Sequence, residues 1–399
     1  MTNFSVHRAN HESANLLLVH VPHSSTAVPK SYRSQIILPD DALDRELLAM
    51  TDHYTDELFA EHALAAGGTA FVNQLSRLVF DPERFEDDSV EPMSEKGMGA
   101  VYTSTADLRS LRAPDFPSSA REEILRDLFR PYAAAFEGEV TEQLRRFGRC
   151  LIIDAHSFPD APLPYEDASL ERPDLCIGFD EFHAPDVLID ALERVGRDAG
   201  WTVGRNTPFA GSYVPLAYYG KDPRVSSVML EINRNRYMDE ATGERSEEFK
   251  ETRDLVGRLV ETATLFEAFR NTNFHAELPS GNVCIRIGAA TSQLDALPQH
   301  ESQHSWLYIT AHNPNGKTAP AVENERAQAE LARELRSRGL RFYRGHGQGD
   351  VGDWPPEPSF LVIGASEPEA LELGRRFGQA AVVVGERQQA ARLLLCEPD

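Results

Sequence analysis

Cysteine is scarce in this 399-residue chain: Cys150, Cys176, Cys284 and Cys396 stand far apart with no CxxC pair. That spacing builds neither a disulfide framework nor a thiolate zinc cage, and the expected compartment is the reducing cytoplasm. Positive charge is also short. Five lysines and 35 arginines face 63 acidic residues, for a net charge of -23. Such a surface repels phosphates, and no concentrated basic patch offsets it, so nucleic acid is not an expected partner. Long apolar runs are missing too. Nowhere do ~18 uncharged apolar residues follow one another, and the apolar run near the start is too short for a signal segment, so neither a membrane partner nor export is expected. What is present is 41% hydrophobic and 9% aromatic residues, enough for a buried core. A disordered acidic tail and a fibrous protein are thereby excluded, and the length suits two or three domains.

Up to about residue 270, short apolar runs alternate with helix-period segments. LLLVHV (16–21), TAFVNQL, CLIIDAH, LCIGF (175–179), WTVGRN and SSVMLEIN (226–233) read as strands, and 40–66, 118–147, 184–200 and 246–271 as helices, with Ser118 and Ser119 as caps for the second. The alternation predicts an α/β domain: a mostly parallel or mixed sheet with helices on both faces, whose ligands sit beyond the carboxyl ends of the strands. Residues 1–270 are assigned to it. Residues 271–282, rich in turn formers and without periodicity, read as a linker, and 283–399 as a small α+β domain. Charge divides unevenly, since 28 basic and 47 acidic residues fall in 1–275, leaving -19 there.

The strand ends carry chemistry. LLLVHV runs into Pro22-His23-Ser24-Ser25, LIIDA into His156-Ser157, and VMLEI carries Glu231, followed by Asn233 and Arg234. A lone histidine at a strand end is most often a capping or core residue, but three such groups at three strand ends point to a site. Two neutral imidazoles and a carboxylate, with water in the fourth position, make a common catalytic zinc shell. The helix at 40–66 supplies Asp52 and Asp56, one turn apart on one face; the bland reading of that pair is a solvated acidic face. Glu231 lies on an apolar strand where an unpaired carboxylate is costly. It suits a general base better than a ligand, the alternative being a structural pair with Arg234 or Arg236. Arg77, Asp81 and Arg84 follow TAFV, and an arginine fork suits a substrate carboxylate. The loop at 206–211, with Asn206 and Gly211, and the glycines of 97–99 read as amide-presenting loops or as plain turns.

VPHSS, DHYTDELF, SRLVFDPERF, GMGAVYT, LIIDAHSFP, NTPFAGSYVPL and MLEINRNRY, in that order over most of residues 15–265, resemble the N-formylglutamate amidohydrolase family. The resemblance implies a fold like the zinc carboxypeptidase and aspartoacylase group and hydrolysis of an N-acyl amide with a single divalent metal, Zn2+ or another. It implies His23 and His156 as metal ligands, Asp52 as the carboxylate ligand with Asp56 in reserve, and Glu231 as general base. Arg84 and Asp81 stand where related aspartoacylases carry the arginine and acid of a D-L-N-R element that contacts substrate carboxylate, although this chain reads D-P-E-R. Asp154 is expected behind the ligands, and Arg77, Asn206, Gly211 and Arg234 beside Arg84 around a small anionic acyl amino acid. N-formyl-L-glutamate is the first expected substrate. Another N-acyl amino acid or a peptide is the alternative, and a catalytically degenerate binding module the non-enzymatic reading. YITAHNP, ENERAQAEL, WPPEPSFLVIG and RRFGQAAVVVGE resemble a small bacterial family of uncharacterised domains. His312, Asn313, Asn324, Trp354, Glu357 and Gln379 have side chains suited to a pocket, yet packing and turn roles suffice for them and no site is expected there.

Overall fold

Two units divide the chain in the computed structural model, Met1–Thr264 and Leu265–Asp399, and the residues described are 3–10, 15–295, 305–314, 319–350 and 355–396. The first unit is built on seven strands: β1 (Phe4–Arg8), β2 (Leu17–Val21), β3 (Thr69–Asn73), β4 (Cys150–Phe158), β5 (Leu175–Gly178), β6 (Val203–Arg205) and β7 (Val225–Asn233). Their order is β1-β3-β2-β4-β7-β5-β6. The centre is parallel, β3 to β2, β2 to β4 and β4 to β7, while β1 and β5 pair antiparallel with β3 and β7. Every residue of β2, β4 and β7 is buried, as central strands covered by helices on both faces require. The expected α/β class is the observed one. The edge strand β1 was not expected, because FSVHR alternates apolar and polar residues over only five positions.

The single helix expected over 40–66 is two helices, Asp40–Met50 and Thr55–Ala65. Between them Thr51 is extended and Tyr54 takes a left-handed conformation (φ 64°). The Asp52 N–H leaves the helical ladder to donate to the His23 carbonyl at 3.0 Å. Asp52 and Asp56 therefore do not share a helix face. The long helix starts at Ser118 as expected, but Pro117 takes the cap position and no side chain caps it. It passes through a π turn at Leu125–Phe129, where the Asn3 amide donates to the Leu128 carbonyl at 2.9 Å, and continues as Arg130–Phe147. Tyr132, Phe136 and Val140 from that helix pack on Leu18, Phe71 and Ile152 of the sheet.

The second unit is an antiparallel sheet of β8 (Thr272–Leu278), β9 (Gly281–Ile285), β10 (Ser305–Ile309), β11 (Arg341–Gly349), β12 (Glu357–Ile363), β13 (Ala381–Glu386) and β14 (Arg392–Leu395), in the order β14-β13-β10-β12-β11-β8-β9. Helices Ala321–Ser337 and Glu367–Arg376 bury Leu331, Leu335 and Leu373 against Leu307, Val362 and Val384, giving the expected α+β layer. The expected linker is part of this sheet: 272–285 form a hairpin whose alternate residues Phe274, Ala276 and Leu278 are buried. Polar turn residues had masked that two-residue period. The Asn313 side-chain amide donates to Glu357, the Asn313 backbone N–H donates to Asn324 Oδ1, the Asn324 amide donates back to Asn313 Oδ1, and Gln379 donates to the His312 carbonyl, so these groups satisfy one another. Trp354 lies outside the described residues.

Candidate active site

Period-two alternation puts Asp154 and His156 on one face of β4, and register places His20 of β2 opposite Asp154 and Glu231 of β7 opposite His156. His23 follows two residues past β2. The Asn73 amide holds the Pro22 carbonyl at 2.9 Å, and the helix break at Asp52 is tied to the His23 carbonyl, so one turn delivers both His23 and Asp52. His23, Asp52, Asp154, His156 and Glu231 line a cleft of about 780 Å³ at the carboxyl ends of the parallel strands, where open α/β sheets bind ligands.

Three ligand atoms converge. His23 Nδ1 and His156 Nδ1 are 3.4 Å apart, and Asp52 Oδ2 is 3.1 Å from the latter and 3.6 Å from the former. A tetrahedral ion with bonds of about 2.0–2.2 Å has ligand-to-ligand edges of roughly 3.3–3.6 Å; two edges of this triangle lie in that range and the third, at 3.1 Å, is slightly shorter. The far side of each ring strengthens the fit. His23 Nε2 meets Asp81 Oδ1 at 2.9 Å, and His156 Nε2 meets Asp154 Oδ1 and Glu83 Oε1, both at 3.2 Å. A carboxylate that accepts a hydrogen bond from Nε2–H lets the Nδ1 of a neutral ring turn its lone pair to an ion in the triangle, as metal-binding histidines are usually held. In the metal-free protein the His156 Nδ1 can instead carry a proton toward Asp52. Asp154 is itself anchored by His20 Nδ1 at 2.9 Å and the Tyr213 N–H at 3.0 Å, and the Tyr132 hydroxyl meets His20 Nε2 at 2.8 Å.

Electrostatics follow the geometry. Burial opposes ionisation of Asp52, but hydrogen bonds from His156 and His23 and the charge of Arg77 outweigh it and hold the carboxyl well below its ordinary range. Asp81 is held low in the same way, against burial, by His23, Arg77 and Arg84. Glu231 goes the other way. Burial, with the charge of Asp52 adding to it, pushes its carboxyl up to about 8. It is 7% exposed, and its Oε2 has no hydrogen-bond partner. The pairing with Arg234 or Arg236 is not formed: Arg234 donates to Asp52, to the Ala49 carbonyl and to Ser157, and Arg236 reaches Asp174 and lies over Trp201.

The arginines divide into holders and a candidate gripper. Arg234 is fully engaged, and Arg77 donates to Asp81 Oδ2 at 2.9 Å and faces the Tyr102 ring. Arg84 makes only a 3.5 Å contact from Nε to Asp81, so among the described residues its two terminal nitrogens point to no acceptor. Three expectations are corrected. Asn206 does not line the cleft; its Oδ1 accepts from the Phe179 and Gly211 N–H groups at 2.8 and 3.2 Å and staples its own loop. Gly211 does line the cleft, but its N–H is spent on that staple. Asp56, in the first turn of the second short helix, is not among the lining residues. The glycines at 97 and 99 serve a turn, the Gly97 carbonyl accepting from the Thr103 and Ser104 N–H groups.

Sequence reasoning missed Glu83, His20, Tyr132 and Tyr165. Glu83 forms one potential ligand group with His23 and His156 and another with His20 and Asp154. It sits between Asp81 and Arg84 in DPERF, so its position in that motif was the available signal. His20 had a signal too, as the sole polar residue within the apolar strand.

Over residues 16–238 the sequence matches the family described as N-formylglutamate amidohydrolase, and over 309–382 a family described as protein of unknown function (DUF3293). The N-formylglutamate deformylase of Pseudomonas putida is 25% identical over 242 residues, 58% of this chain and 84% of the relative. That of Pseudomonas aeruginosa is 26% identical over 253 residues, 62% and 91%. The crystal structure of N-formylglutamate amidohydrolase from Ralstonia eutropha JMP134 has a TM-score of 0.57 at 24% identity, covering 67% of this chain and 98% of that one, a likeness of fold.

Proposed function

This chain belongs to the N-formylglutamate amidohydrolase family, and we propose that its first unit hydrolyses the N-acyl amide of a small anionic acyl amino acid, N-formyl-L-glutamate first, to formate and L-glutamate. One observation carries the reading: the triangle of His23, His156 and Asp52 lies in the same cleft as an unpartnered, buried Glu231 carboxyl and an arginine with open donors. A divalent metal, zinc foremost, would be held by His23, Asp52 and His156 and would supply Lewis acidity to the scissile carbonyl and to water.

The chain's own groups do the rest. Glu231, ionised, takes a proton from the attacking water. The water oxygen joins the acyl carbon, the C–N bond breaks, and Glu231 returns the proton to the departing nitrogen. In the metal-free protein burial pushes this carboxyl up to about 8; two positive charges at the adjacent site would favour its ionised form, the form that accepts the water proton. Arg84, linked to His23 through Asp81, receives a substrate carboxylate through its open fork and adds positive charge on that side of the cleft. Arg77 and Arg234 fix Asp81 and Asp52, and Asp81 and Asp154 fix the rings of His23 and His156.

The test is metal content and N-formyl-L-glutamate turnover of purified wild type, His156→Ala and Glu231→Gln. The expectation is that His156→Ala loses both and Glu231→Gln loses turnover alone. A His156→Ala protein that binds one zinc per chain and turns over normally would overturn the site.

A further inference from the structure

The cleft is larger than N-formylglutamate needs. That molecule has about a dozen non-hydrogen atoms, whereas cavities of several hundred Å³ hold ligands roughly two to three times as large, and this cleft measures about 780 Å³. The surplus has a definite chemistry. Its cations, Arg77, Arg84 and Arg234, gather with Tyr165, and Arg77 and Arg84 reach the metal-ligand triangle through Asp81 and His23. A second wall reaches the triangle from the other histidine, since the Tyr213 N–H binds Asp154 and Asp154 meets His156. This wall is Phe129, Ala133, Val214, Leu216 and Tyr219, with the Glu137 carboxylate one helical turn from Ala133 and no lysine or arginine among them. Leu216 is 61% and Tyr219 45% exposed. Apolar side chains left open beside a reaction centre are what an apolar part of a ligand covers.

We infer that the Phe129–Tyr219 wall is a subsite for an apolar acyl chain, and that this protein hydrolyses N-acylglutamates with acyl groups longer than formyl. The inference rests on the proposed amide hydrolysis and extends its substrate class. Glutamate carboxylates directed to Arg84 on the His23 side place the acyl carbon at the centre and its substituent toward the His156 side. The step keeps the same balance: water's oxygen joins the acyl carbon, the C–N bond breaks, and a carboxylate and glutamate leave with no other reactant.

The experiment is a chain-length ladder of N-formyl-, N-acetyl-, N-butanoyl- and N-hexanoyl-L-glutamate. Dissociation constants are measured by calorimetry on zinc-loaded Glu231→Gln, and kcat/KM on zinc-loaded wild type. Each methylene buried against such a wall strengthens binding roughly three- to four-fold, so hexanoyl should bind at least tenfold tighter than acetyl. Leu216→Asp and Tyr219→Ser, at exposed positions, should each flatten the ladder. A ladder that is flat or falls with length, or one that these two variants leave unchanged, overturns the subsite. Formyl turnover is scored separately: a rising ladder with no turnover of any member upholds the apolar subsite and overturns the hydrolase reading, and turnover with a flat ladder does the reverse.

Discussion

Replacing Glu231 by Gln should stabilise the metal-free fold while removing activity, an opposition expected of a group held for chemistry rather than structure. The carboxyl is buried, its Oε2 has no partner, and its pKa is pushed from an ordinary 4.5 to about 8. A carboxyl whose folded pKa is raised favours the fold fully below its unfolded value and loses that advantage as pH climbs toward the folded value. With those two values, ionisation costs the folded state about 2 kcal/mol at pH 6 and about 4 kcal/mol at pH 8 relative to pH 4. Glutamine has the shape of the protonated acid and no charge to lose. Urea unfolding of wild type and Glu231→Gln in EDTA should therefore coincide near pH 4.5 and separate in favour of the variant as pH rises to 8. Subtracting the two curves removes the titration of groups remote from Glu231 and leaves that of Glu231 with its coupled neighbours His156 and Asp52. Zinc-loaded, the variant should keep its metal and lose about 10²–10⁴ in kcat. A variant less stable than wild type at pH 8, or a gap that does not change with pH, would show that Glu231 is an ion-paired structural residue.

Asp81→Asn should weaken zinc binding about 10- to 100-fold by releasing the His23 tautomer, read by chelator competition. Arg84→Met should lower kcat/KM for N-formylglutamate at least ~30-fold through loss of a charge-assisted fork, and Arg84→Lys should not restore it; equal activity of Arg84→Met would place the carboxylate elsewhere. Arg112→Met should cost about 2–4 kcal/mol in urea unfolding without altering zinc stoichiometry. The Arg112 guanidinium is buried, its pKa is lowered by burial to about 10, and it donates to the carbonyls of Leu78, Val79 and Tyr102, which brace the loop that carries Asp81 and Arg84.

The central strands were legible because apolar runs bounded by helix-period segments have few other readings, and the strand-end rule then pointed at His23, His156 and Glu231. What failed was set by tertiary contacts. Asp52 and Asp56 share a helix face in a periodic pattern, but the His23 carbonyl draws the Asp52 N–H out of the ladder and the face disappears. Asn206 looked like a ligand donor because a turn-rich loop displays it, yet a side-chain amide that closes its own loop gives the same sequence signal. Glu83 was overlooked for the opposite reason. In a chain with 63 acidic residues one more carboxylate carries no information until the fold brings it within reach of His23, His156 and His20. The hairpin 272–285 hid its alternation under Asn, Glu and Gly.

Charge makes the metal a condition of substrate binding as well as of turnover. An excess of -19 lies in residues 1–275, and the cleft does not reverse it: Asp52, Glu83, Glu86, Glu137, Asp154 and Glu166 line it against Arg77, Arg84 and Arg234, even with Glu231 counted as neutral. Two of those three cations are already committed to Asp81 and Asp52. A dianion such as N-formylglutamate entering the metal-free cleft therefore meets net negative charge inside a negative shell, with Arg84 to answer it and His156, whose pKa is raised against burial by Glu83 and Asp154, already engaged by Asp52, Asp154 and Glu83. Two added positive charges at His23, Asp52 and His156 would bring the cleft near neutrality and leave the Arg84 fork effective. Calorimetry of N-formylglutamate on Glu231→Gln should accordingly show binding with zinc and at least a tenfold loss after EDTA treatment, and the zinc-dependent affinity should fall as salt rises. Equal affinity with and without metal would mean that the carboxylates are read outside this centre, and the assignment of Arg84 would fall with it.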